Sequence, residues 1–194
     1  MVALSVASAS PAAAQPDGGA FELGAQVVTA RVQEFDRRDT GVGVRLAWHP
    51  VDALGVESEF NWFPSEFPGV RPFSASRLEG LVGGTLGPRL GRLRPFLRFR
   101  GGFVRFAEAS EPFACIAVFP PPLACVLGGG RTVPAFDVGG GVEYATTRRT
   151  FLRVDVGDRV LRYPGDTISR SGTQRDGDFY SHDLRIAAGA GWRF

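Results

Sequence analysis

The stretch "HDLRIAAGAGWRF", residues 182–194, alternates with a period of two. Leu184, Ile186, Ala188, Ala190, Trp192 and Phe194 lie on one side of an extended chain, and Asp183, Arg185, Ala187, Gly189, Gly191 and Arg193 on the other. Successive side chains of a strand point to opposite faces, so one face is apolar and the other is charged or small. The run closes on two large aromatic residues on its apolar side, where fraying and polar residues are the usual pattern. A strand tipped in this way needs lipid or a partner against it.

The same alternation recurs upstream, broken by Gly, Pro, Asp and Arg turns, and no stretch carries a convincing helical period. Apolar runs fall at 21–33 (Phe21, Leu23, Ala25, Val27, with phase lost near Val28 and a bulge expected there), 41–48 and 55–62. Others follow at 77–86, 96–105, 135–144 and 151–162. With the last run these predict eight strands, an even number. The connections "HPVDAL", "GPRLGRLR" and "ATTRR" are short, and those at 64–75, 106–132 and 163–181 are long. Short turns on one rim and longer loops on the other describe an antiparallel up-and-down transmembrane β-barrel.

Alternation alone does not say which face points inward. A soluble lipocalin-like binding barrel buries its apolar face and a membrane barrel exposes it. Two features favour the second. Trp48, Trp62, Phe103, Tyr144, Trp192 and Phe194 cluster at strand ends, as interfacial girdles do. The opposite face is charge-balanced: Arg45, Arg77, Arg98, Arg100, Arg153, Arg159, Arg185 and Arg193 stand against Glu57, Glu59, Glu79, Asp137, Glu143, Asp155 and Asp183. A closed polar interior needs that balance, because an unpaired buried charge costs several kcal/mol. Glu79 and Arg98, on neighbouring strands, are expected to be partners in it. Glycines on the same face (Gly43, Gly83, Gly102, Gly139, Gly141, Gly157 and Gly189) are expected to leave room for arginine.

The wider composition agrees. The chain of 194 residues fits one domain and has no apolar run long enough for a membrane-spanning helix. All 22 basic residues are arginine, and the net charge of +2 gives no nucleic-acid footprint. Residues 1–14 read as a secretory signal peptide, truncated at its start because the positive n-region is missing, with Ala12 and Ala14 before a cleavage point at Gln15. A disordered Ala-rich segment is the alternative. The barrel domain is then 15–194. Cys115 and Cys125 sit in "FACIAVFPPPLACVLGGG", read as irregular, where an exported protein would form a local disulfide; two free thiols are the alternative.

The chain resembles the small eight-stranded outer-membrane barrels of the outer membrane protein A transmembrane-domain type. "DVGGGVEY" (137–144) is similar to that superfamily's sixth-strand motif and "LRVDVGDRVLRY" (152–163) to its seventh. "GAGWRF" matches the barrel-assembly signal at Gly189, Trp192 and Phe194, with Ala187 where the family usually has a polar residue. The resemblance implies an outer-membrane location, lipid and the barrel-assembly machinery as partners, and a monomer.

Eight strands enclose only enough space for their own side chains. The charged interior therefore reads as a plug, and the expected function is a structural, surface-exposed anchor whose loops are available for recognition of an unspecified ligand. A narrow or gated porin-like pore is the alternative. A lipid-modifying hydrolase is weighed on "SHD" (181–183), but Ser181 and Asp183 fall on the opposite face from His182, a nucleophile such as Ser171 would have to come from a loop, and His49 sits in a turn. No catalytic residues, cofactor or metal are expected.

Overall fold

A computed structural model describes residues 20–67, 75–109, 119–163, 165–168 and 174–194. The segment read as a signal peptide, together with Cys115 and Ser171, lies outside them. Eight long strands form the wall: β1 (Phe21–Val32), β2 (Arg37–Val51), β3 (Leu54–Phe67), β4 (Ala75–Leu86), β5 (Leu93–Phe106), β6 (Thr132–Ala145), β7 (Thr150–Tyr163) and, after a small hairpin of β8 (Thr167–Ile168) and β9 (Gln174–Arg175), β10 (Phe179–Arg193). A six-residue helix, α1 (Leu123–Gly128), precedes β6.

Neighbouring wall strands pair antiparallel all the way round, and β1 closes on β10. Leu23 sits opposite Trp192 on one side and Leu46 on the other. Strands of 12 to 15 residues exceed the roughly 9–11 residues that a tilted transmembrane strand requires. The connections on one rim are turns (52–53, 87–92 and 146–149), the first closing at the Val51–Leu54 pair. Gly91 adopts a positive φ of 63° in the second turn, a conformation only glycine takes without strain. The other rim carries the longer connections, apart from a single 3₁₀ turn, Gln33–Phe35, between β1 and β2.

The outward face is apolar. Val42, Val44, Leu46, Trp48, Val56, Phe60, Leu97, Phe99, Val138, Leu152, Val154 and Ile186 are all exposed. Trp48, Tyr144, Trp192 and Phe194 lie toward the turn rim and Trp62 and Phe103 toward the loop rim. The inward face holds the charges, so the barrel is the reverse of a soluble one.

Two expectations need correction. β1 contains no bulge: its register with β2 and with β10 is continuous through Val28. The alternation looks out of phase because Val28, Ala30 and Val32 face inward and are fully buried, in a part of the interior that is apolar. The Pro- and Gly-rich segment before β6 is not wholly irregular either. Pro122 stands at the N-cap of α1 and Gly129 just past its end, the usual proline-first, glycine-last punctuation of a helix.

Candidate functional site

The lumen is the candidate site, and its charges come from inward positions of all eight wall strands. Nine arginines (45, 77, 94, 98, 100, 153, 159, 185 and 193) and nine carboxylates (Glu22, Asp39, Glu57, Glu59, Glu79, Asp137, Glu143, Asp155 and Asp183) are buried among the described residues. Twelve of these, Arg45, Glu57, Glu59, Arg77, Glu79, Arg98, Arg100, Asp137, Glu143, Arg153, Asp155 and Arg185, are the network residues expected from the sequence. Each one makes an ion pair inside the barrel.

At the turn-rim end, Arg193 donates from Nε to Glu22 (2.7 Å) and from Nη2 to Glu143 (3.2 Å). Arg45 lies 3.5 Å from Glu22 and 3.6 Å from Glu57. Arg153 then links Glu57 (2.9 Å), Glu143 (3.2 Å) and Asp155 (3.0 Å). Mid-barrel, Arg98 holds Asp137 at 2.7 Å and also pairs with Asp155. Arg100 meets Asp137 at 2.7 Å, Glu57 at 3.2 Å, and Glu59. Arg185 pairs with Glu59 and stands 3.5 Å from Glu79. Toward the loops, Arg159 bridges Glu79 (2.5 Å) and Asp183 (2.8 Å), and Arg77 pairs with Asp39. Arginine suits this chain of shared carboxylates because its planar fork donates in several directions at once.

Glu79 and Arg98 are not partners. Glu79 sits opposite Val104 in the β4–β5 register and Arg98 opposite Thr85; Glu79 pairs instead with Arg159 and Arg185 across the lumen, and Arg98 with Asp137 on β6 and Asp155 on β7. His49 is likewise not a turn residue. It lies near the end of β2 with Nε2 2.6 Å from Arg94, and Nδ1 3.8 Å from Glu22.

The sequence reading missed four polar members. Asp39 and Arg94 lie on the inward parity just outside the apolar runs used to set the register, and Glu22 lies within the first run, on its inward side. Asn61 is the fourth: its Nδ2 donates to Glu59 (2.5 Å) and Glu79 (2.7 Å), while Gln26 Nε2 donates to its Oδ1 (2.9 Å). An amide can separate two carboxylates in this way because it offers two donors and an acceptor. Its parity on β3, two positions after Glu59, was the signal available.

Four phenylalanines also point inward. The Arg153 guanidinium stands 4.0 Å from the Phe96 ring centre, Arg193 and Arg45 stand at 4.8 and 5.3 Å from Phe151, and Arg77 at 4.8 Å from Phe63 and 5.8 Å from Phe106. Each contact gives an arginine an aromatic face as well as a carboxylate. The glycines mostly serve strand approach. Of the seven expected to make room for arginine, Gly157 alone has an arginine side chain among its nearest neighbours: a Cβ there would lie 2.7 Å from the Val138 carbonyl oxygen and 2.9 Å from Arg98 Nη2, whereas one on Gly83 would meet the backbone of Phe99 and Arg100. Such glycines let two strands approach closely. A cavity beside Arg45, Phe151, Arg153 and Asp155 measures only ≈ 10 Å³, about the least space that one water occupies.

Above the charged tiers sits an apolar stopper. Val32, Phe35, Leu81, Val104, Phe106, Leu123, Leu127, Val133, Ala135, Leu161, Tyr163 and Phe179 form one buried cluster. Leu123 and Leu127, one helical turn apart on α1, bring a loop element into the mouth. The loop is tied down by Ala109 N–H to Gly128 O (3.0 Å) and by Ile168 N–H to Pro121 O (3.0 Å). Near the same rim, on the outside, Arg162 clamps Asp178 at 2.5 Å, and Asp178 also accepts from Gly165 N–H at 3.0 Å. That arginine and that backbone N–H hold the Asp178 carboxyl below the usual carboxylate range.

Of the other expected residues, Gly189 faces inward against the β1 backbone, while Trp192 and Phe194 point outward at the turn rim. Cys125 lies in α1. Ser181 and Asp183 face the lumen; His182 faces outward, exposed, with Nδ1 2.6 Å from Asp158.

This geometry can be set beside solved structures. Neisserial surface protein A is similar over 91% of this chain and 99% of its own, with a TM-score of 0.58 at 13% identity. The fold is that of small outer-membrane barrels. The N-terminal β-barrel domain of Pseudomonas aeruginosa OprF matches 91% of this chain and 99% of its own at a TM-score of 0.53 and 10% identity. The outer membrane protein OprG of the same organism matches 91% and 97% at 0.52 and 10%. No protein-family profile and no curated protein sequence matches the chain.

Proposed function

We propose that this protein is an outer-membrane barrel that acts as a closed structural anchor and presents its loop rim as a recognition surface. The observation that carries the reading is the double closure of the lumen: tiers of paired charges below and an apolar stopper above. A barrel stopped in both ways transmits force and position, not solute. The apolar outer belt supports a membrane location, and the shared fold supports the outer membrane. On this reading the turn rim is periplasmic, the chain is exported and monomeric, and it is not an enzyme. Gly189, Trp192 and Phe194 then serve the assembly machinery during insertion.

The test has two parts. The processed protein is expected to fractionate with outer membranes and to run faster on gels when unheated. Reconstituted in planar bilayers, it is expected to show negligible steady conductance. Recovery as a soluble periplasmic protein refutes the location. Large, reproducible conductance steps refute the closed anchor and favour a narrow or gated pore, the second reading.

A further inference from the structure

The turn rim carries a cavity that shares only Arg193 with the lumen network. It measures ≈ 500 Å³ and is lined by Arg89, Arg92, Arg148 and Arg193, with Gly91 and Thr147 among the remaining walls. That volume falls within the roughly 300–1,000 Å³ of small-molecule sites. Two adjacent turns build it. Ala145 N–H donates to Arg92 O (2.8 Å), tying the β6–β7 turn to the β4–β5 turn, and Arg193 N–H donates to Arg149 O (2.7 Å), fixing the end of β10 beneath them.

The charge here is one-sided. Every charged residue lining the cavity is arginine. Arg193 has its carboxylates, Glu22 and Glu143, inside the barrel. Among the described residues, Arg89, Arg92 and Arg148 have no ion-pair partner. Arg89 is also partly withdrawn from water: its Nε is buried and without a hydrogen-bond partner. Burial, and next the like charge of Arg193, lower its pKa, and the carboxylates Asp52 and Glu22 offset this only in part. Arg92 and Arg148 are exposed and Arg89 is half-buried, so solvent can carry their charge; what points to an anion is that these like charges converge on one cavity whose lining holds no acid. Arginine forks fit phosphate oxygens in a paired, directional way.

We infer that the cavity between the β4–β5 and β6–β7 turns is a phosphate-binding site, with Arg89, Arg92 and Arg148 as its ligands. Two sources offer that chemistry: the headgroup phosphate of an anionic phospholipid in the bordering leaflet, or a free phosphate. The lipid source rests on the membrane reading above and the free source does not.

The experiment uses the full chain folded in neutral detergent, with unheated gel mobility confirming the fold of each variant. Inorganic phosphate is titrated calorimetrically against chloride at equal ionic strength. Arg89→Gln/Arg92→Gln is expected to weaken phosphate binding by about tenfold or more, the loss of charge-assisted bonds. Arg92→Gln alone, in an exposed turn, repeats the test with least risk to folding, and Arg149→Gln, outside the cavity, is expected to bind like the parent. In the second arm, protein reconstituted with phosphatidylcholine, with or without phosphatidylglycerol, is extracted and its retained lipid weighed by native mass spectrometry. Retained phosphatidylglycerol that the variants lose assigns the headgroup; phosphate binding without it assigns a free phosphate. The proposal is overturned if neither phosphate nor phosphatidylglycerol binds, or if the variants bind both as the parent does. Neither result depends on whether the barrel conducts.

Discussion

Arg159 offers the sharpest test of the charged lumen, because its two partners differ in what they would keep without it. Arg159, Glu79 and Asp183 are all fully buried. If Arg159 becomes Met, Glu79 still accepts from Asn61 at 2.7 Å and stands 3.5 Å from Arg185. Asp183 retains only the Gln33 backbone N–H at 3.0 Å. The cost therefore falls mainly on Asp183, as an uncompensated buried charge. Breaking one side of a buried pair typically costs about 3–5 kcal/mol, whereas removing both charges can be near neutral. Arg159→Met is expected to cost that amount. Arg159→Met/Asp183→Asn should recover most of it, because an amide accepts the same Gln33 bond without a charge. Arg159→Met/Glu79→Gln should recover little.

The assay is urea unfolding in detergent micelles, followed by tryptophan fluorescence and by unheated gel mobility. With m-values of roughly 1–3 kcal/mol per molar urea, the single variant's midpoint should fall by about 1 M or more. A loss below about 1 kcal/mol, or equal losses in all three variants, would mean that water solvates these groups, and the plug would be wrong.

Three further outcomes are expected. Cys115 and Cys125 should resist thiol labelling in the intact, non-reduced protein, since a loop of this size closed by a disulfide gains roughly 3 kcal/mol locally; labelling at both sites excludes the bond. Asp178, with its pKa lowered by Arg162 and the Gly165 N–H, should order its surroundings at neutral pH and lose that contribution as pH falls through the lowered value; amide protection over 165–168 and 174–178, corrected for the intrinsic exchange rate at each pH, should therefore fall in acid, and Asp178→Asn should remove that dependence. The two closures act in series, so Leu127→Ser alone should leave conductance near zero, while Leu127→Ser combined with Arg100→Ala and Asp137→Ala should raise it; conductance from Leu127→Ser alone would show that the charged tiers do not close the lumen.

The wall was legible in the sequence because a strand's period is independent of what surrounds it. Val42, Val44, Leu46 and Trp48 predict one face of β2 whichever way the barrel is turned. Charge balance was legible for the same reason, since parity alone puts Arg98, Arg100 and Asp137 on the face opposite the apolar one. Partner identity was not. A barrel interior brings together strands distant in sequence, and Arg153 finds Glu57 across 96 positions while Glu79 ignores the neighbouring strand's arginine. The apolar parts of the interior were hidden by the rule that revealed the wall. Val28 and Ala30, in a small buried cluster with Phe63 and Ala187, and Val32, in the stopper, keep the inward parity of Glu22 but have the chemistry of the outward face, so an apolar-versus-polar reading mistook a change of environment along the lumen for a change of phase.

That change of environment is what separates closure from mere filling. A charged tier excludes water by being filled and paired, yet any water that found room could still hydrogen-bond to its arginines and carboxylates. An apolar tier cannot, since water entering beside Leu123, Leu127 and Tyr163 would lose hydrogen bonds and gain none. Burying each leucine is worth about 1.5–3 kcal/mol, which favours α1 seated in the mouth over α1 in solvent. The stopper therefore keeps water from the end of the network nearest the loops, and in a drier lumen the ion pairs beneath are electrostatically stronger. The network in turn offers α1 a rigid floor through Arg77 and its aromatic contacts with Phe63 and Phe106. Loop and lumen are thus coupled: a ligand that displaced α1 at the outer surface would hydrate the Arg77–Asp39 pair first, the point from which any opening of this barrel would have to begin.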